Sequence, residues 1–257
     1  MILQKLSSAS TENLVEHVEG DVSQFFEIGV ILPTYCEASN IKRLIEEIEN
    51  LNLKVSILVI DDSSPDGTAD IIRELQKKYG NILLYVRPQK LGLGSAITDG
   101  FKIFLSLKKS PRYIVTMDAD YSHNPKDIPR LISVARNGND LVIGSRYNTG
   151  GRILKWNFFR LTVSKVANKL ASFIVRARIN DYTSGLRCYS TVLVREIIHD
   201  LHSHTYEIQI ETIKQAHRRK FSITEIPITF VNRKRGKSKL SINEIRDFVF
   251  YMLKTML

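Results

Sequence analysis

The chain has 257 residues, 43% hydrophobic and 25% charged, a composition that excludes a disordered or fibrous protein and fits a globular domain. No apolar run approaches a membrane span of about 20 residues, and two distant cysteines, Cys36 and Cys188, exclude a disulfide framework or a cysteine-based zinc site. The net charge of +10 favours anionic partners: nucleic acid, phospholipid headgroups or phosphorylated substrates.

Residues 1–26 read as a polar leader without a basic-then-apolar signal pattern. The apolar run 28–32 predicts a strand stopped by Pro33. A helix follows, with Asn40 as its cap and Ile41, Leu44, Ile45, Ile48 and Leu51 on one face. A second strand over 55–60 ends in the turn Asp61-Asp62-Ser63-Ser64-Pro65-Asp66-Gly67. The next helix turns Ile71, Ile72, Leu75 and Tyr79 inward. The pattern then repeats: a strand over 82–86, a helix over 94–107, a strand over 113–117, a helix opened by Asn124-Pro125, and a strand over 140–144. Such alternation predicts right-handed βαβ units, hence an α/β domain with a mainly parallel sheet and helices on both faces.

The second half is less regular. Residues 145–157 predict a polar loop. A helix over 158–177 carries the stripe Phe159, Val163, Val166 and Leu170. A strand over 223–231 is interrupted at Pro227, which places it at an edge. A final helix over 241–257 has the apolar face Ile242, Ile245, Phe248, Val249, Met252 and Leu253; packing on the domain and docking on a bilayer are both open for it. No repeat or linker divides the chain, so it reads as a leader (1–26), one domain (27–240) and an amphipathic helix (241–257).

In sheets of this kind ligands bind beyond the carboxyl ends of the strands. Pro33, Tyr35 and Glu37 follow the first strand, Asp61 and Asp62 the second, Asp118 and Asp120 the fourth, so all can face one crevice. Asp118-Ala119-Asp120 is the most informative run. Residues i and i+2 of a strand point to one side, and two converging carboxylates suit a hard divalent cation that bridges to substrate phosphates. Asp62 can accept hydrogen bonds from a nucleotide base or ribose, and Asp61 and Asp62 repel unless a ligand or donors share their charge. Lys90-Leu91-Gly92-Leu93-Gly94 lacks the third glycine of a dinucleotide fingerprint and the Gly-Lys-Ser/Thr ending of a P-loop. It reads as a tight loop that opens a helix, with Lys90 a candidate nucleotide contact. Arg146 is either a two-pronged phosphate ligand or a surface loop arginine. Arg160 and Ser164, four apart on a helix, make a second anion site or an ordinary polar face. The densest basic cluster, 233–239, suits a loop closing over a diphosphate, nucleic acid or headgroups. The six histidines form no zinc pattern, and His123, near the acidic pair, reads as a solvated loop residue.

These runs together resemble the family 2 glycosyltransferases of the GT-A fold, and among them the dolichyl-phosphate mannose synthases. The matching runs are Leu32-Pro33-Thr34-Tyr35-Cys36-Glu37, Ile60-Asp61-Asp62-Ser63-Ser64-Pro65-Asp66-Gly67-Thr68, Lys90-Leu91-Gly92-Leu93-Gly94, Met117-Asp118-Ala119-Asp120-Tyr121-Ser122-His123, Gly144-Ser145-Arg146-Tyr147, Thr183-Ser184-Gly185 and Ser238-Lys239-Leu240, in family order across 28–250. The resemblance implies transfer of mannose from GDP-mannose to dolichyl (polyprenyl) phosphate with inversion, giving a β-linked mannosyl phosphate for protein glycosylation. It implies that Pro33, Tyr35, Glu37, Ile60 and Asp62 cradle the nucleotide. Asp118, Ala119 and Asp120 would meet the sugar diphosphate, with Mg²⁺ or Mn²⁺ held by Asp118 and Asp120. Ser122 stands where some members carry a metal-binding Gln. Arg146 would meet donor or acceptor phosphate, Arg160 and Ser164 the lipid phosphate, and Arg233 and Lys239 would clamp the donor diphosphate. Catalysis would then depend on Asp120 and Arg146. A phosphate monoester acceptor is already anionic near neutral pH and needs no general base. Many relatives carry C-terminal membrane helices. Without them, this chain is expected at the cytosolic membrane face, with a membrane partner subunit. A UDP-glucose donor is the nearest alternative. A nucleic-acid-binding module would show salt-sensitive binding but leaves the acidic crevice unexplained, so no nucleic-acid partner is expected; a structural subunit would not bind a nucleotide sugar.

Overall fold

The computed structural model of the chain describes residues 14–21, 23–156 and 158–232. Arg233, Lys239 and the helix expected over 241–257 lie outside the described residues. In chain order the elements are β1 (Ile28–Thr34), α1 (Ile41–Glu49), β2 (Val55–Asp61), α2 (Thr68–Lys78), β3 (Ile82–Val86), α3 (Leu93–Ser106) and β4 (Tyr113–Thr116). A 3₁₀ turn (Pro125–Asp127) leads into α4 (Ile128–Arg136), followed by β5 (Leu141–Ser145), β6 (Arg152–Leu154) and α5 (Phe158–Val175). The rest is β7 (Arg187–Ser190), α6 (Thr191–Ile197), α7 (Ile208–Arg218), β8 (Ile223–Pro227) and β9 (Thr229–Val231).

Among the described residues, seven strands form one sheet in the order β3-β2-β1-β4-β7-β5-β8. Only β7 runs against its neighbours, β4 and β5; the other pairs are parallel. β6 and β9 pair as a separate parallel ribbon. The alternation along each strand feeds two cores. Ile31, Leu58 and Ile60 face Ile97, Phe101 and Phe104 of α3 and Ile213 of α7. Val30, Leu32 and Val59 face Ile41, Leu44, Ile45 and Ile48 of α1 and Leu131 and Ile132 of α4. Each such buried side chain contributes roughly 1.5–3 kcal/mol by removal from water.

The chain moves outward from β1 through β2 to β3, then crosses to the other side of β1 for β4. The strand order therefore reverses between β1 and β4, and that switch point opens a crevice at their carboxyl ends. The antiparallel β7 matters as much: with Thr116 paired to Arg187, the residues that enter β7 sit beside those that leave β4.

Three sequence expectations change. Pro33 does not stop β1 but lies within it, paired with Ile60. The carbonyl of Ile31 accepts from Met117 N on the β4 side, and the β1–β4 ladder ends at Ile31 and Thr116. Residue 33 faces that same side, where no strand continues, so its missing N–H costs no ladder bond. The loop expected over 145–157 contains β6, which pairs with β9. The run 223–231 breaks after Pro227 into β8, at the sheet edge as expected, and β9. Elements β7, α6 and α7 were not foreseen. Within the expected leader, Glu19 bridges to Leu84 on the sheet-edge strand β3.

Candidate active site

A cavity of about 500 Å³ lies over the switch point. Its walls include Pro33, Tyr35 and Glu37 from the end of β1, Asp62 from β2, and Asp118, Ala119 and Asp120 from β4. Lys90, Arg146, Arg160 and Ser164 also line it. Ile60 does not: it is fully buried in the sheet core.

At one end the acidic turn after β2 is satisfied by the protein itself. Asp61 is fully buried and accepts from Thr34 Oγ1 at 2.7 Å, Ser64 N at 2.8 Å and Ser64 Oγ at 2.6 Å. Asp62 accepts from Arg87 Nε at 2.5 Å and from Gly92 N at 3.2 Å. Arg87, 1% exposed, also donates to Ser95 Oγ, Asp99 and the carbonyl of Gly92. One guanidinium thus ties the 90–95 loop to Asp62. Burial pushes the Asp62 carboxyl up, outweighing Arg87 and the Gly92 N–H. The same loop is pinned from the far side, because a Cβ on Gly94 would lie 2.5 Å from the Ser203 carbonyl and 2.7 Å from that of Thr205. Lys90 Nζ sits 4.6 Å from the centre of the Tyr35 ring. Asn40 does not cap α1 with its side chain; its amide donates to Glu37 Oε2 at 2.9 Å and fixes that carboxylate.

In the middle, Asp118 and Asp120 stand on the wall as expected. Tyr121 takes a left-handed backbone, φ +61°, which is unusual for an aromatic residue. The turn lets Ser122 N donate to Asp120 Oδ1 at 3.0 Å. Asp118 is crowded from the β7 side: a Cβ on Gly185 would lie 2.9 Å from Asp118 Oδ1 and 3.1 Å from Oδ2, so the bare glycine makes room for the carboxylate. His123 is not solvated. It is 1% exposed, its ring packs edge-on against Phe230, and Nδ1 lies 3.7 Å from Asp118 Oδ2. Burial pushes its pKa down to about 4, against the pull of Asp120. The imidazole is therefore neutral near pH 7.

At the other end Arg146 is neither a surface residue nor a free fork. It is 6% exposed, with Nε and Nη2 both 2.7 Å from the carboxylate of Asp181. With those prongs committed, it brings the cavity a buried charge rather than a two-pronged grip. The guanidinium carbons of Arg146 and Arg160 sit 5.4 and 4.4 Å from the centre of the Trp156 ring. Ser164 Oγ accepts from Tyr147 Oη at 2.8 Å, and Arg160 Nη1 donates to Asn232 Oδ1 at 2.8 Å. Val163, Val166 and Leu170 of the α5 stripe line the cavity rather than a closed core, and Val166 is 52% exposed. Phe159 is in the helix, but its side chain lies outside the described residues.

Asp118 and Asp120 are two carboxylates on one wall. No cluster of three or more His, Cys, Asp or Glu forms a complete metal cage among the described residues. That donor set fits Mg²⁺ or Mn²⁺, which take one or two carboxylates and complete their shell with water and substrate phosphate oxygens. Among the residues that sequence reasoning did not single out, Arg87 had a signal: it follows β3 at the same sheet edge as the acidic residues. Asp181 had none, because it acts through Arg146, 35 residues away, and Trp156 had none, because its stacking on the two arginines is set by the folded loop and not by a motif.

Residues 29–198 match the family described as Glycosyl transferase family 2. A polyprenol monophosphomannose synthase from Mycolicibacterium smegmatis is 38% identical over 86% of this chain and 83% of its own. A dolichol-phosphate mannosyltransferase from Pyrococcus furiosus is 35% identical over 90% of this chain, which spans 64% of that relative's length. Among solved structures, glucosyl-3-phosphoglycerate synthase from Mycobacterium tuberculosis, in complex with Mn²⁺, UDP and glucosyl-3-phosphoglycerate, superposes with a TM-score of 0.64. That match has 19% identity over 92% of this chain and 80% of the other, a likeness of fold.

Proposed function

The chain belongs to glycosyl transferase family 2 and has the GT-A fold, and we propose that it transfers mannose from GDP-mannose to a dolichyl or polyprenyl phosphate with inversion. The observation that carries the reading is that one cavity joins a polar end, an acidic pair and a cationic end lined by apolar helix residues. The names of the two relatives point to the same sugar and the same kind of acceptor.

Pro33, Tyr35, Glu37, Asp62 and Lys90 hold the nucleotide. Asp118 and Asp120, beside Ala119, would hold Mg²⁺ or Mn²⁺. The bound ion supplies charge neutralisation of the GDP leaving group. Arg160 and Ser164, with the buried charge of Arg146 beside Trp156, hold the acceptor phosphate. Arg233 and Lys239, which lie outside the described residues, are the basic side chains that the family resemblance assigns to the donor diphosphate. Attack by the phosphate oxygen on the anomeric carbon, from the face opposite GDP, forms the new C–O bond as the bond to GDP breaks. The acceptor is already ionised, so the protein's work is positioning and electrostatic stabilisation rather than proton removal. The acceptor's lipid character implies work at the cytosolic face of a membrane. No helix of the described residues is long and apolar enough to cross it, and a membrane partner subunit fits that arrangement.

The test is a donor-by-acceptor screen. Purified protein is incubated with GDP-mannose or UDP-glucose, with or without polyprenyl phosphate, and with chelator followed by Mg²⁺ or Mn²⁺. Mannosyl phosphate product from GDP-mannose alone, lost with chelator and in Asp120→Ala, is the expected result. Transfer from UDP-glucose instead, or chelator-insensitive turnover, would overturn the donor or the metal assignment.

A further inference from the structure

Gln209 is the second residue of α7, is 2% exposed and lies on the cavity wall. Neither its Nε2 nor its Oε1 has a hydrogen-bond partner among the described residues. An unpaired buried amide keeps the full penalty of its lost hydration, and native proteins keep few of them. Leucine or methionine would fill a similar volume without that penalty.

The backbone beneath this amide is held firmly. The Gln209 carbonyl accepts from Arg187 Nη1 at 2.6 Å, and the same buried guanidinium donates from Nε to the Ser184 carbonyl at 2.8 Å. Arg187 also binds the Tyr182 carbonyl at 2.9 Å and Thr212 Oγ1 at 2.9 Å. Ser184 precedes Gly185, whose bare Cα faces the Asp118 carboxylate. One buried arginine thus ties the Gln209 turn to the strand entry beside Asp118, while the amide itself is left without a partner among the described residues.

Chemistry selects the class of ligand. A carboxamide offers two N–H donors and a carbonyl acceptor. A phosphate near neutral pH is essentially an acceptor and would leave Oε1 unpaired. A sugar hydroxyl both donates and accepts, so two neighbouring hydroxyls satisfy both halves of the amide. The final torsion of Gln is soft, so the amide can turn toward a ligand without moving the helix. We propose that Gln209 hydrogen-bonds hydroxyls of the transferred hexose and is a determinant of sugar specificity. The inference rests on the reading of this cavity as a nucleotide-sugar site. Sites built to hydrogen-bond a substrate hydroxyl discriminate strongly against ligands that cannot supply it.

The experiment compares nucleotide sugar with bare nucleotide. Affinities of GDP-mannose and GDP are measured by calorimetry with Mn²⁺ present, for wild type, Gln209→Leu and Gln209→Met. Loss of about tenfold for GDP-mannose is expected, with GDP held within about twofold and reduced discrimination against GDP-glucose. The ligand-free variants should melt at or above the wild-type temperature, because the unpaired amide is gone. Unchanged GDP-mannose affinity, equal loss for GDP and GDP-mannose, or two variants that do not fold would overturn the proposal. If wild type binds a different nucleotide sugar, the donor assignment falls. The same comparison then runs with that sugar and its own nucleoside diphosphate, and equal affinities across the variants would overturn the role of Gln209.

Discussion

Asn in place of Asp181 should leave a guanidinium buried without its counter-charge. Arg146 is 6% exposed and Asp181 is fully buried. The carboxylate accepts from Arg146 backbone N at 2.9 Å, from its Nε and Nη2 at 2.7 Å, and from Thr183 N at 3.1 Å. Asparagine keeps the shape, loses the charge and turns one acceptor into a donor that faces other donors. Removing one partner of a buried pair costs about 3–5 kcal/mol. An exposed pair such as Arg43–Glu47, with side chains 77% and 36% exposed, is screened by water and contributes little. Urea unfolding at pH 7 should show Asp181→Asn weaker by the larger amount, with the denaturant slope unchanged. The pH dependence adds a second check. Burial raises the Asp181 carboxyl, but the Arg146 charge and the hydrogen bonds outweigh it and hold it below the ordinary value. The unfolded state therefore takes up the proton first as pH falls. The stabilisation is whole above the unfolded value of about 4 and fades as pH drops through the lower folded value. The gap between wild type and variant should narrow in that acid range. A gap under about 1 kcal/mol at pH 7, or one that stays constant in acid, would refute the reasoning.

Gly185→Ala should lower kcat/KM about tenfold or more by displacing the Asp118 carboxylate, with little change in melting temperature; wild-type kinetics would contradict the close approach. Arg87→Met should cost about 3–5 kcal/mol of stability and should gain more stability than wild type does between pH 7 and pH 5. Burial already holds Asp62 and Asp99 above the ordinary carboxylate value, and loss of the guanidinium raises them further, so the folded state takes up protons that the unfolded state does not. Denaturation of both proteins at the two pH values checks this, and an equal gain would count against it. Arg160→Ala should raise KM for polyprenyl phosphate about tenfold while GDP-mannose affinity holds; parallel loss of both would remove Arg160 from the acceptor end.

The periodicity of the first half specified its strands and helices, because each apolar stripe meets the sheet locally and each turn is marked by Gly, Pro, Asp or Ser. The rule that ligands gather at strand carboxyl ends then placed Pro33, Tyr35, Glu37, Asp62, Asp118 and Asp120 on one wall, but Asp61, expected there too, is fully buried and bound to Thr34 and Ser64. Ile60 shows the limit of a role carried over by resemblance: its side chain belongs to the core. The second half was less legible because its partners are remote. β7 pairs antiparallel with β4 and β5, and β6 is a strand only because β9, some 75 residues on, lies beside it. Sequence alone therefore determined the βαβ frame, the acidic pair and the anionic class of ligand, since these depend on local pattern and residue chemistry. Tertiary structure decided that His123 is buried, that Arg146 spends its fork on Asp181, and that the Gln209 amide on the wall has no partner among the described residues. Burial and hydrogen-bond pairing are properties of neighbours in space, and no local pattern encodes them.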